Sequence, residues 1–165
     1  MNIDASARID PAADLLRLDR QLCFPLYAAS NLVTRRYRPL LAKLGLTYPQ
    51  YLVMLVLWEH PIQSVGDLGD QLHLDSGTLT PLLKRMERAD LIRRERDPAD
   101  ERRVLVKLTG AGRRLRESAA EVPASLMRQL ELRIDDLEHL RDAVQAFVAS
   151  LCGKDTVRST ENQEA

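Results

Sequence analysis

One stretch limits most sharply what this chain can fold into: residues 74–109, LDSGTLTPLLKRMERADLIRRERDPADERRVLVKLT. Asp75 and Ser76 open it as helix-start residues, whose side-chain oxygens accept from N–H groups that a first helical turn leaves unpaired. Leu79, Leu82, Leu83 and Met86 follow at i, i+3, i+4 and i+7 and share one helical face. Thr80, Lys84, Arg85 and Arg88 occupy the other side. Two strand-like runs rich in Val, Leu and Arg come next, Leu91–Arg96 and Arg103–Leu108. Asp97-Pro98-Ala99-Asp100 between them reads as a turn, because proline presets φ and aspartate closes local hydrogen bonds. Just upstream, Ser64–His73 carries Val65, Leu68 and Leu72 at helical spacing. The order predicts a winged helix-turn-helix, mainly α with a small β wing, whose second helix enters a DNA major groove. A cationic helix face is by itself usually a solvated face. Order and spacing together carry the prediction.

Lys plus Arg and Asp plus Glu balance at 24 each, which excludes a bulk polyanion coat. The charges are segregated: between 84 and 96, Lys84, Arg85, Arg88, Arg93, Arg94 and Arg96 outnumber Glu87, Asp90 and Glu95. A neutral chain with one basic face suits binding at a specific site. No apolar run approaches the ~18 residues of a membrane span. The start, MNIDASARIDPAADLL, has neither a basic nor an apolar leader region, and two cysteines, Cys23 and Cys152, make no disulfide framework. A reducing cytoplasm is the expected setting, with both cysteines as thiols. His60, His73 and His139 are scattered and lie outside metal-site spacing of either cysteine, so neither metal nor cofactor is expected.

Around this centre the chain reads as helices. Residues 1–16 are expected to form a flexible arm. From Leu18 to Leu44, Leu22, Leu26, Ala29, Val33, Tyr37, Leu40 and Leu44 recur every three or four positions, with Pro25 and Pro39 as sites of bending or fraying. Gly45 stops that helix, and Thr47 caps the next, Tyr48–Glu59, which is apolar nearly all round and so central, with Met54 and Trp58 in the core. Gly110–Leu132 is expected as one helix capped by Thr109 and kinked at Pro123. A last helix from Asp135 or Asp136 carries Leu137, Leu140, Val144, Phe147 and Leu151, and 153–165 is expected as a disordered tail. The terminal helices, 17–46 and 110–152, hold more apolar surface than a slender DNA-binding domain over 47–109 buries. Pairing across a two-fold axis resolves this, so a homodimer reading a palindromic operator is expected.

The wing segment Asp100-Glu101-Arg102-Arg103-Val104-Leu105-Val106-Lys107-Leu108-Thr109 resembles the D-x-R signature of the MarR family. The runs LDRQLCFPLY (18–27), LTYPQYLVMLVLWE (46–59) and LDSGTLTPLLKRME (74–87) resemble, more narrowly, that family's organic hydroperoxide resistance regulators. The likeness spans about residues 18–150. It implies a repressor that leaves its operator when an organic hydroperoxide oxidises one cysteine. By position that cysteine is Cys23, and the two tyrosines that hydrogen-bond its sulfur match Tyr37 and Tyr48, with Tyr27 a further neighbour.

Cys23 and Tyr37 lie 14 positions apart on one predicted helix, roughly 21 Å at ~1.5 Å per residue. A tyrosine cannot span that distance. If Tyr37 meets Cys23, it comes from the other subunit. The reactive species is the thiolate, favoured by phenol donors and by the positive end of the helix. Leu22, Phe24, Pro25 and Leu26 give an apolar approach suited to fatty or aryl hydroperoxides. Relatives with a second, resolving cysteine carry it near Leu126-Met127-Arg128, where this chain has none. Either Cys23 pairs with a low-molecular-weight thiol, or Cys152 of the partner chain serves as a displaced resolver. The place of Cys152 beside Gly153 at a fraying end favours the small thiol.

For DNA, Ser76, Thr78, Thr80 and Lys84 are the expected contacts of the recognition helix. In the wing, Arg102 is expected in the minor groove, oriented by Asp100, with Arg94, Arg96 and Arg103 on phosphates. Pro81 inside the recognition helix runs against ordinary helix rules. Two rivals stay open: a MarR-type repressor released by a phenolic or aromatic ligand, and a thiol peroxidase using Cys23. The enzymatic rival lacks a local peroxidase-type motif, and a sensor needs only one turnover.

Overall fold

The computed structural model describes residues 15–130 and 133–161. The expected arm therefore lies largely outside the described residues, at 1–14, as do the last four residues of the expected tail, 162–165. A 3-10 turn, Leu18–Arg20, precedes helix α1 (Cys23–Ala42). Then come α2 (Tyr48–Glu59), β1 (Ile62–Ser64), α3 (Val65–Leu72), α4 (Ser76–Arg88), β2 (Ile92–Arg96), β3 (Val104–Leu108), α5 (Gly110–Ala119), α6 (Glu121–Leu130) and α7 (Ile134–Glu161). The chain divides into two units, Met1–Leu126 and Met127–Ala165.

Each boundary in the first unit has a local cause. Gly45 adopts φ 67°, and the N–H of Leu46 reaches back to the Leu41 carbonyl at 3.0 Å, closing the end of α1. The Gln50 side chain accepts from the Thr47 N–H at 2.8 Å and from its hydroxyl at 3.1 Å, which starts α2. Ser64 and Asp67 form a reciprocal box at the start of α3. Asp75 caps α4 by accepting the Thr78 N–H at 2.9 Å.

Four expectations are corrected. The first long helix begins at Cys23 rather than Leu18, and the chain enters it through the 3-10 turn. The single helix expected over Gly110–Leu132 is two, parted at Ala120. Pro123 has no N–H to give the Ala119 carbonyl and its ring crowds that oxygen, so the first helix stops there. The last helix continues to Glu161, past the tail expected from 153; one interior glycine, Gly153, costs only about 1 kcal/mol. The fourth is β1, too short for periodicity to betray, which makes the wing a three-stranded antiparallel sheet in the order β1-β3-β2. Ile62 faces Lys107 across it, and Ile92 faces Leu108.

The core of the first unit draws on Leu41, Leu46, Ala119 and Val122 from either side of 47–109 as well as on residues within it. Leu41 and Leu46 from the α1 end, Met54, Leu57 and Trp58 from α2, Leu79, Leu83 and Met86 from α4, Val106 from β3 and Val122 from α6 form one buried cluster. At roughly 1.5–3 kcal/mol per fully buried side chain, it supplies the main stabilisation of the helix-turn-helix. Among wing residues Ile92, Val106 and Leu108 are buried, so the outer part of the hairpin is held mostly by backbone pairing and charges.

Gly112 is where α5 touches the wing base. A Cβ there would lie 2.1 Å from the Leu91 carbonyl oxygen and 3.1 Å from Leu108 Cδ2. Its N–H donates to Thr109 Oγ1 at 3.0 Å, and its carbonyl accepts from Trp58 Nε1 at 2.9 Å. Gly112→Ala must push helix and strand apart and is expected to lose about 1–3 kcal/mol, read as a fall of several degrees in Tm. Gly66→Ala, whose Cβ would meet Ser64 Oγ at an ordinary 3.7 Å, is the control and should leave Tm unchanged or raise it.

Candidate DNA-binding surface and cysteine site

The face of α4 turned from the core carries Ser76, Gly77, Thr78, Lys84, Arg85 and Arg88, all exposed, with Thr80 half-buried. Burial of Leu79, Leu82, Leu83 and Met86 on the other face fixes this outcome. Thr78 is engaged locally: its hydroxyl donates to Asp75 Oδ2 at 2.8 Å as part of the cap. Asp75 is held below the usual carboxylate range by that hydroxyl and by backbone N–H groups. Pro81 offers no N–H to the carbonyl of Gly77, an exposed residue in the first turn of the helix.

The wing tip is built from short polar contacts. Asp97 Oδ1 accepts the Ala99 N–H at 2.9 Å, and the Arg103 N–H reaches the Asp100 carbonyl at 2.8 Å. Arg96 Nη1 spans the tip to the Glu101 carbonyl at 2.8 Å. Asp100 holds Arg102 as expected: its carboxylate accepts the Arg102 backbone N–H and Nε, both at 3.1 Å. The Arg102 side chain is otherwise 92% exposed, a cation presented at the tip. Arg102 keeps the Asp100 carboxyl below the ordinary aspartate range, so the pair is intact at neutral pH and is lost only as pH falls below that range.

Of the three arginines expected on phosphates, Arg94 is placed differently. It is half-buried and donates to Glu87 from Nε at 3.0 Å, from Nη2 at 2.8 Å and from its backbone N–H at 2.9 Å. Arg103 reaches Asp67 Oδ2 at 3.3 Å with both side chains about half exposed. Arg96 and Arg103 thus remain at the surface, whereas Arg94 is drawn inward to α4.

Cys23 is the first residue of α1 and is exposed, with Leu22 and Phe24 exposed beside it and Tyr27 one turn on, 68% exposed. Tyr37 lies much further along the same helix. Its ring packs on Tyr48 with centroids 4.9 Å apart and on Tyr51 at 5.8 Å, and Tyr51 meets Trp58 edge-on at 6.3 Å. The fold therefore joins Tyr37 with Tyr48 but leaves both remote from Cys23 of the same chain. Tyr51, which the sequence reading passed over, is the buried ring tying the pair to the core. Its signal was the i, i+3 spacing of Tyr48 and Tyr51 at the start of a helix apolar all round. Cys152 is exposed on α7.

Burial, with the neighbouring Tyr48 and Tyr51, pushes the Tyr37 phenol up to about 12, and burial also raises Tyr48 and Tyr51. All three stay protonated, able to donate, far above neutral pH. Because the folded value exceeds the ordinary 10.0, the stabilisation is complete below pH 10 and is lost as pH rises through about 12. A tyrosinate absorbance titration of the folded protein should show a late phase near pH 12, and Tyr37→Phe should remove it.

Residues 35–118 match the model of the SarA/Rot transcriptional regulator family. The organic hydroperoxide resistance transcriptional regulator of Bacillus subtilis strain 168 is 48% identical over 138 residues, covering 84% of this chain and 94% of that protein. AbsC of Streptomyces coelicolor, a MarR family transcriptional regulator, superposes with a TM-score of 0.70 at 27% identity, over 84% of this chain and 97% of its own. The chain belongs to the MarR family of transcriptional regulators. Within that family it is similar to the organic hydroperoxide resistance type. AbfR of Staphylococcus epidermidis, solved reduced and bound to DNA, gives a TM-score of 0.73 at 35% identity, over 86% of this chain and 99% of its own. AbfR has also been solved overoxidised on DNA and in a disulfide form. This MarR-family regulator is thus a transcription factor by fold and kinship. Among its described residues no helix is long and apolar enough to cross a membrane.

Proposed function

We propose that this regulator is a cytoplasmic, homodimeric repressor that grips a palindromic operator while Cys23 is reduced and leaves it when an organic hydroperoxide oxidises that sulfur. The observation that carries the reading is the separation of Cys23 from a ready pair of phenols. Tyr37 and Tyr48 stack half-buried and protonated, and about 21 Å of helix lies between Tyr37 and Cys23 of the same chain. The donors to each sulfur therefore come from the second copy, and each sensor site spans the dimer. Segments 17–46 and 110–152 form that interface and 47–109 meets DNA. The apolar side chains left exposed on the single chain support this, with Leu18 at 59% and Leu22 at 63% near the first helix and Ile134 at 65% and Leu140 at 57% on α7. Ser76, Thr78, Thr80 and Lys84 enter the major groove, Arg102 enters the minor groove under the hold of Asp100, and Arg96 and Arg103 meet phosphates.

The Cys23 thiolate attacks the terminal oxygen of ROOH. The O–O bond breaks, the departing alkoxide takes a proton and leaves as the alcohol ROH, and Cys23 becomes sulfenic acid. A second thiol then attacks that sulfur, water leaves, and a disulfide forms. The phenols lose their anionic acceptor, and the two DNA-binding halves are reset. The expected second thiol is a small cellular one. Mass spectrometry of the oxidised protein separates such an adduct from an interchain Cys23–Cys152 link.

A second reading has one observation in its favour. A cavity of about 410 Å³ beside Tyr48, lined by Thr34, Arg35, Arg38, Leu46 and Pro49, combines an apolar wall with two cations and would suit an aromatic acid. A duplex selected by the purified protein from a random-sequence pool separates the two. Cumene hydroperoxide is expected to release it and a dithiol reductant to restore it, with hydrogen peroxide less effective. Release by an aryl acid, with none by hydroperoxide, would favour the cavity.

A further inference from the structure

We infer that Glu87 and Arg94 are a positioning pair that sets the wing against the recognition helix, so that an acidic side chain facing the DNA-binding side strengthens operator binding. The inference rests on the DNA-binding reading above and assigns Arg94 a role other than the phosphate contact its position in the sequence suggests.

The geometry is specific. Ile92 is the buried residue of β2, while Arg93, Glu95 and Arg96 are exposed. Besides Ile92 and the Leu91 N–H that reaches the Met86 carbonyl at 3.1 Å, this strand is fastened to α4 by the Glu87 carboxylate in the last turn of that helix. It takes two N–H groups of the Arg94 guanidinium on Oε2 and the Arg94 backbone N–H on Oε1. One acid therefore holds the strand as well as the side chain. The remaining ion pairs do less. Asp67–Arg103 is a single 3.3 Å contact about half exposed on both sides, the kind that adds little. Lys107–Glu95 joins β3 to β2 within the wing and fastens neither to a helix. For Arg94 to reach a phosphate it would have to abandon Glu87 and leave a half-buried carboxylate without its partner beside the DNA polyanion.

The consequence is leverage. From Arg94 to Pro98 at the wing tip the chain spans up to roughly 13 Å at ~3.3 Å per residue. A tilt of about 10° at the base then moves the tip by about 2 Å, more than a hydrogen bond tolerates. Losing the clamp displaces Arg102 from its groove while Lys84 and its neighbours on α4 stay seated.

The test compares wild type, Glu87→Gln, Arg94→Gln and the double variant. The probes are a duplex selected from a random-sequence pool by the wild-type protein and an unrelated duplex of equal length. Each single variant is expected to lose about tenfold in affinity for the selected duplex, comparable with one lost base contact. Binding to the unrelated duplex and the salt dependence should be unchanged, and the double variant should be no weaker than either single one. If Arg94→Gln alone weakens binding to both duplexes and lowers the salt slope by about one per protomer, while Glu87→Gln binds as well as or better than wild type, Arg94 is a phosphate contact and the inference is overturned. Equal losses on both duplexes, with a lowered Tm, would assign the pair to the fold alone and overturn it too. If wild type enriches no duplex, the DNA-binding reading fails and takes this inference with it.

Discussion

Arg102→Ala is expected to remove most of the affinity for a selected operator while leaving the fold intact. The side chain is 92% exposed and its guanidinium touches Asp100 at the wing tip, away from the buried cluster. Such a surface change shifts stability by no more than about 0.5 kcal/mol. At the DNA the position is decisive, because a groove-inserted arginine contributes about 1–3 kcal/mol. A dimer on a palindrome presents it twice, so the combined loss is at least roughly 2 kcal/mol, about thirtyfold in Kd. Asp100→Asn keeps the cation but relaxes its hold and should lose less. Fluorescence anisotropy at physiological salt, with circular dichroism as the folding control, reads both. Binding within twofold of wild type by the alanine variant would remove Arg102 from the interface.

Cys23→Ser is expected to bind the same duplex as tightly as wild type and to ignore hydroperoxide. Serine is nearly the same size at an exposed position, so neither the start of α1 nor the buried cluster is disturbed. Its hydroxyl stays protonated and does not attack a peroxide. Coupling between distinct sites is worth about 1–3 kcal/mol, or roughly 5–150-fold in affinity. Oxidised wild type should weaken by that factor and the serine variant not at all. Full release of the variant by cumene hydroperoxide would transfer sensing to another residue. Cys152→Ser in parallel is expected to respond like wild type if a small thiol resolves Cys23.

Much of the architecture could be read from residue types and spacing. Leu79, Leu82, Leu83 and Met86 predicted a buried face, and all four are buried. Thr109 and Asp75 predicted caps, and both accept the N–H three residues on. The Asp100–Arg102 pair matches what was expected of the D-x-R segment. What escaped was set by partners far along the chain. β1 exists because β3 comes back beside it more than forty residues later. The break at Ala120 lies three residues before Pro123, the proline that forces it, because the lost hydrogen bond belongs to a carbonyl one turn back. Arg94 read as one cation among several, and only Glu87, seven residues away across the α4–β2 corner, distinguishes it.

By itself the sequence determined the winged helix-turn-helix, the cationic outer face of its second helix and a cysteine near the start of the first long helix. Each follows from periodicity, capping and turn chemistry, which act over a few residues. The tertiary structure alone decided which charged side chains point to solvent and which brace the wing, and that Tyr37 and Tyr48 share one protonated cluster with Tyr51. Those outcomes depend on packing between elements distant in sequence, where burial and a specific partner, rather than residue type, set what a side chain does.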